Sequence, residues 1–251
     1  MSKPMLISSK TCVGKHWKPV VDLSYAQNKT LIPIPAAEMA KAGSGMPLAI
    51  CKQAGEWQIM AVCGQVAEHN CFIKQGKWLG HYQPQWLSHY PFDFIKVKDQ
   101  GVLTFEEDSG LLCTATEGEA FFDDQGQPMP RLKAKIDTLS QFQAQMALTT
   151  QALNALEQAG VLVAWPEQLK SSLNVDLDGL HFISEQKLNA LEEPGFLALR
   201  RAQALPIAYA VNFSIQQGHL LHRLAKINPP KNTGSVDIEQ FFDEDSDSLK
   251  F

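Results

Sequence analysis

The groups best placed to do chemistry lie in His81-Tyr82-Gln83-Pro84-Gln85-Trp86-Leu87-Ser88-His89-Tyr90-Pro91-Phe92, two imidazoles and four aromatic rings within twelve residues. Aromatic rings supply apolar walls with polar edges, so His81, Tyr82, Trp86, His89, Tyr90 and Phe92 are the candidate binding residues of a ligand cleft. The two titratable imidazoles keep an enzyme with a His/aromatic cleft open as a reading. The same rings could equally pin a loop to the core, because large aromatics dominate core burial wherever they occur.

Other constellations are thinner. His219 and His222 stand three apart on an expected helix, so both rings could point the same way, but two ligands do not make a metal site. Cys63, His69 and Cys71 tempt in the same way, yet the Cys63 to Cys71 interval lies outside ligand-knuckle spacing, and cysteines in strand-like runs are usually core. Gly43-Ser44-Gly45 could wrap a phosphate, but no Lys-Ser/Thr and helix follow it, so it reads as a loop. There is no G-x-S-x-G, G-x-x-x-x-G-K-[ST], H-E-x-x-H or G-x-G-x-x-G motif. No catalytic residue, metal or cofactor is assigned, and an enzyme is less favoured than a binding protein.

The chain has 251 residues, 45% hydrophobic and 20% charged, the balance of an ordinary globular protein with one main core. Residues 237–251 carry six acidic side chains against Lys250 alone, which leaves 21 basic and 21 acidic residues elsewhere. A charge-balanced body offers no overall field for nucleic acid or anionic lipid. Nowhere do about 18 apolar residues run together, so no membrane-spanning helix is expected, and no export signal is read in Met1 to Lys10. Five cysteines, an odd number without a C-x-x-C pair, read as reduced core thiols and favour the cytoplasm.

These side chains must be positioned by an α+β fold, with an N-terminal mixed or antiparallel sheet of hairpins packed against C-terminal helices. From Leu31 to Leu112 short apolar runs are broken by Gly, Pro and Asn, the strand and hairpin pattern. Pro47 to Lys52 and Trp57 to Cys63 form one hairpin through Ala54-Gly55, and Gln75-Gly76 turns another. Pro84 to Pro91 has room only for a short helix, and Phe92 to Val97 and Val102 to Phe105 resume as strands. A long helix runs from Arg131 to its Gly160 cap, with Leu132, Ile136, Leu139, Phe142, Met146, Leu153 and Leu156 on one face. Val161 to Trp165 and Leu173 to Leu177 read as strands, with Asp178-Gly179 a strong hairpin signal before Leu180. Ser184 opens a helix, and another begins at Pro194 with Phe196, Leu199, Ile207, Val211, Ile215 and Leu224 inward, broken or restarted at Pro206.

One domain, 1–227, is therefore expected, followed by a flexible acidic tail, 228–251, that opens on a linker-like Asn228 to Ser235. Burying the tail's few apolar side chains returns less than ordering its backbone costs, so it should stay free for a partner. Phe241, Phe242 and Phe251, interleaved with acids, suit a basic groove with an aromatic pocket and are the candidate docking residues. A merely solubilising tail is the alternative.

The order of the pieces resembles the SapC-like family of bacterial proteins across roughly Lys18 to Lys226. The resemblance rests on Tyr82 to Phe92, on Gly118-Glu119 to Gly126 with its Phe-Asp-Asp-Gln-Gly turn, on Gly160-Val161-Leu162 with Trp165, and on Leu180 to Leu199 followed by Ala204-Leu205 and Tyr209-Ala210. It implies a protein of unknown activity with no established catalytic residues, and associates it with a bacterial surface layer. The expected function is a protein- or peptide-binding accessory protein. The alternatives are a surface-layer-associated protein exported without a signal peptide, and the His/aromatic enzyme.

Overall fold

Short β-branched and aromatic runs separated by turn residues fold as strands, and the 3.6-residue period after Pro128 folds as helix. The computed structural model describes residues 3–97, 100–113 and 117–230. The first half contains β1 (Pro4–Leu6), β2 (His16–Trp17), β3 (Leu31–Ile34), α1 (Met39–Ala42), β4 (Leu48–Gln53), β5 (Glu56–Val62), β6 (Ile73–Lys74) and β7 (Lys77–Trp78). Next come β8 (Phe92–Val97), β9 (Gln100–Glu106), β10 (Leu112–Cys113), β11 (Glu119–Ala120) and α2 (Pro130–Gln158). The second half adds β12 (Leu162–Ala164), α3 (Glu167–Leu173), β13 (His181–Ile183), α4 (Glu185–Asn189), α5 (Glu193–Arg201), α6 (Ala204–Ser214) and α7 (Gly218–Ile227). Helix makes up about 41% and strand about 23% of the described residues, the strands forming several small antiparallel sheets, so the fold is α+β.

The main sheet is antiparallel with strand order β12-β13-β4-β5-β3. Its centre is the β4–β5 hairpin, paired from Leu48↔Ala61 to Gln53↔Glu56. Ala54 (φ 49°) and Gly55 (φ 86°) both take positive φ, the two-residue turn whose twist matches the strands. Leu48, Ala49, Ile50 and Cys51 are buried in succession, so this strand is covered on both faces. Helix α2 lies along β5, α6 lies along β13 and β4, and the two helices pack on each other. Two of the five strands come from beyond α2, so the sheet expected of the N-terminal part is completed by the C-terminal part.

A second, smaller core gathers around the sheets β1-β9-β8 and β10-β2-β11. Its rings meet edge to face: Trp17 and Phe92 at 4.9 Å, Phe92 and Phe105 at 5.1 Å, Phe105 and Phe121 at 5.5 Å. At 29 residues α2 is about 43 Å long. Its first half gives Leu132 and Leu139 to the small core, and its second half gives Leu153 and Leu156 to the large one. The helix is therefore the strut that joins both.

Three expectations need correction. Leu173 to Leu177 is not a strand: Pro166 opens α3, and Asn174 ends it at φ 52°. The Asp178-Gly179 turn leads into β13, whose partners are β12 and β4 rather than the residues just before it. Phe196 is exposed rather than inward. The last helical stretch restarts at Gln203, with φ 55°, and Pro206 sits in the first turn of α6, where its missing N–H costs nothing. At the far end Asn228 is tied down, its Nδ2 reaching the carbonyls of Asn70, Cys71 and Ile73 at 2.8–3.3 Å. Phe241, Phe242 and Phe251 lie outside the described residues.

Candidate functional site

The Tyr82 to Phe92 segment is clamped from several directions. At its start the Trp78 indole, stacked on Phe72, donates Nε1–H to the Tyr82 carbonyl at 2.7 Å. Gln85–Ser88 winds into a single 3-10 turn that buries Leu87. Tyr25 donates its hydroxyl to the Leu87 carbonyl, and its ring stacks on Tyr90 with centroids 3.9 Å apart and planes 3° from parallel. From α2, Lys135 donates Nζ–H to the Ser88 carbonyl at 2.7 Å. The segment is thus fixed to both cores at once, through Leu87 to the large one and Phe92 to the small one.

Glu38 completes the clamp. It ends the turn Ala36–Glu38 that leads into α1, and is only 7% exposed. Its Oε2 accepts the Tyr82 hydroxyl at 2.6 Å and the Gln85 amide at 3.0 Å. Burial first, and then this hydrogen bond, push the Tyr82 hydroxyl up. The Gln85 amide is an orphan donor at the start of its turn, and the carboxyl satisfies it as a cap would.

Clefts open on different sides of the clamped segment. One, of about 610 Å³, is walled by Tyr25, Trp86, His89, Tyr90, Phe92 and Phe142. Trp86 and Tyr90 are half-buried there, so their rings form surface rather than core, whereas Phe92 is buried. A second, of about 450 Å³, takes in Glu38, Lys41, Tyr82, Gln85, Ser88 and Gln145. Four of the six expected binding residues, Trp86, His89, Tyr90 and Phe92, therefore converge on one crevice, and Tyr82 belongs to its neighbour.

The two imidazoles do not form a pair. His81 is exposed and lies close against Gly45, where an added Cβ would come within 2.2 Å of its ring. Its Nε2 is 3.1 Å from Ser44 Oγ, and that hydroxyl is also 2.8 Å from the Lys41 carbonyl. His81 lines neither cleft. His89 is 4% exposed, tilted on Phe142 at 4.8 Å, and its buried Nε2 has no partner among the described residues. Burial, helped by the Lys135 charge, pushes its pKa down to about 4. The ring is neutral at pH 7 and too weak a base for efficient proton transfer there.

His69, Cys71 and His222 line one crevice with Asn228's neighbours Pro229 and Pro230, but His69 is held by the Asn228 carbonyl at 2.7 Å, and His222 Nδ1 lies 3.1 Å from the Asn174 amide. Among the described residues no three His, Cys, Asp or Glu side chains are grouped to hold a metal ion. No described helix is long and apolar enough to cross a membrane. Arg200 and Arg201 form no ion pair with Glu192 or Glu193 among the described residues.

The SapC family model matches residues 7–221, a span that includes the whole clamped segment and, apart from Pro4 at the edge of the larger crevice, the lining of both clefts. The chain belongs to the SapC family. No curated protein and no solved structure matches it. The SapC match takes in every element from β2 to α6, so the clamp is built entirely from family-matched sequence, while the acidic residues 237–251 lie beyond it.

Tyr25, Glu38 and Gln145 are the site residues that sequence reasoning missed. Glu38 did leave a trace, as the lone acid in the otherwise uncharged run Leu31 to Ala40. Tyr25 and Gln145 left none, since nothing local links either to residues 82–92.

Proposed function

We propose that this SapC-family protein is a non-catalytic peptide- or protein-binding accessory protein, and that the crevice beside Trp86 and Tyr90 is its recognition surface. The observation that carries the reading is the rigid aromatic wall: Tyr25 and Tyr90 stacked at 3.9 Å, with Trp86 beside them, half-buried around about 610 Å³. Rings locked before binding offer large contact area at little entropic cost, which is why tyrosine and tryptophan dominate recognition surfaces. His89 fits the wall as a neutral ring, and among the described residues its Nε2 has no partner of the kind that orients a general base.

In this reading the acidic tail, with Phe241, Phe242 and Phe251, is a second docking element for the same partner. The cytoplasm is the setting, supported by five unpaired cysteines of which four are buried.

The test places a photoreactive benzoylphenylalanine at Gln143, an exposed residue at the crevice mouth, in the full chain within producing cells. A discrete adduct that disappears in Trp86→Ala supports the proposal. Absence of any adduct, or an adduct indifferent to Trp86→Ala, contradicts it.

A further inference from the structure

Seven buried side-chain polar atoms have no hydrogen-bond partner among the described residues. Five are ring nitrogens of His or Trp, and the two oxygens are Glu38 Oε1 and Gln145 Oε1. Both oxygens belong to residues that line the cleft of about 450 Å³ on the Tyr82 side of the clamped segment. Burying an acceptor without a donor is costly, and for a carboxyl group more so, hence such atoms call for an explanation in what the site takes up.

Three of the donors nearby are already committed. The Tyr82 hydroxyl and the Gln85 amide both go to Glu38 Oε2, and the Ser88 hydroxyl donates to the Gln85 carbonyl at 2.7 Å. Lys41, one helical turn after Glu38, is exposed at the rim and makes no ion pair with it. Among the buried atoms of the cleft the unspent capacity is therefore of acceptor type, from two elements, and one of the two acceptors belongs to a residue only 7% exposed. A group bringing several N–H donors and a positive charge matches it, and a planar guanidinium, which forks donors in fixed directions, matches best.

We propose that the Glu38–Gln145 cleft is a subsite for a basic side chain of the bound peptide, with arginine preferred over lysine. The proposal rests on the peptide-binding reading and specifies its ligand class: the aromatic crevice takes an apolar part of the partner, and this cleft, on another side of the same segment, takes a cation.

The test titrates the full-length protein with N-acetyl-arginine methylamide, its lysine counterpart and its norleucine counterpart, following the Gln85 backbone amide and the Gln145 side-chain amide by NMR. Saturable shifts with arginine, weaker ones with lysine and none with norleucine are expected. Glu38→Gln should weaken arginine binding about tenfold or more, the value of a charge-assisted hydrogen bond. Should Glu38→Gln fail to fold, two variants decide: Gln145→Leu should weaken binding, and Lys41→Glu, at the exposed rim, should tighten it. Norleucine binding as well as arginine, a folded Glu38→Gln variant with unchanged affinity, or no effect of either replacement variant overturns the subsite. These probes are too small to span the aromatic crevice, so a partner still lost in Trp86→Ala while arginine fails to bind removes the subsite alone.

Discussion

His89 gives the strongest quantitative handle on the clamped segment. Its imidazole has an ordinary pKa of 6.5 and is held at about 4 in the fold by burial and by Lys135. Between those values the unfolded chain binds a proton that the folded chain refuses, so stability rises with pH across the window. The contribution is fully present above pH 6.5 and is lost as pH falls towards 4. A separation of roughly 2.5 units at 1.36 kcal/mol each makes the loss about 3 kcal/mol. His89→Leu keeps the volume nearly constant, removes the proton, and also removes the orphaned Nε2. Urea unfolding followed by tryptophan fluorescence at pH 7, 5.5 and 4 measures the effect as the difference between wild type and variant. Asp93, whose carboxyl is raised by burial, works in the opposite direction, but it is common to both proteins and cancels in that difference. The wild type should lose about 3 kcal/mol more than His89→Leu between pH 7 and pH 4. Parallel curves, within about 0.5 kcal/mol, would refute the burial of a neutral His89.

Three further outcomes follow from the same geometry. Tyr82→Phe strips one donor from Glu38 and should cost about 1.5 kcal/mol in urea unfolding at pH 7, with Glu38→Ala costing more because it orphans the Gln85 amide as well. Asn228→Ala releases the carbonyls of Asn70, Cys71 and Ile73 and should cost about 1–3 kcal/mol, whereas ending the chain at Pro230 should leave the melting temperature within about 1 °C of wild type. Burial pushes the Cys51 thiol up to about 12 and raises Cys63 further, so a thiol-exchange reagent should modify half-buried Cys113 first and reach all five cysteines only in denaturant.

How far the sequence revealed this structure depends on how local each determinant is. The hairpins at Ala54-Gly55 and Gln75-Gly76 were legible because two residues able to take positive φ suffice to turn a chain. The strut α2 was legible because its apolar period persists for eight turns. Leu173, Val175 and Leu177 alternate like a strand, but Pro166 had already committed the preceding residues to a helix. Val175 and Leu177 are buried instead in an irregular stretch that touches Val66 through a single bridge at Asp176. The partner of β13 was not legible from its neighbours, since β12 lies on the far side of α3 and periodicity carries no information about pairing. At the site the density of rings in residues 81–92 identified the segment, and residue type alone gave the aromatic wall. Its cation-matching side remained hidden because Glu38 meets Tyr82 and Gln85 across 44 and 47 residues. His81 and His89, close in sequence, were separated by the 3-10 turn that sends one ring to Gly45 and the other to Phe142.

The most direct measurement is the affinity of the cross-linked partner, or a peptide from it, for the full-length protein, compared by calorimetry with that for Trp86→Ala and Tyr90→Ala. Each substitution removes a pre-ordered ring from the crevice wall, and each should weaken binding about 30-fold or more while both variants remain folded. Wild-type affinity in either folded variant would contradict the claim that this wall is the recognition surface.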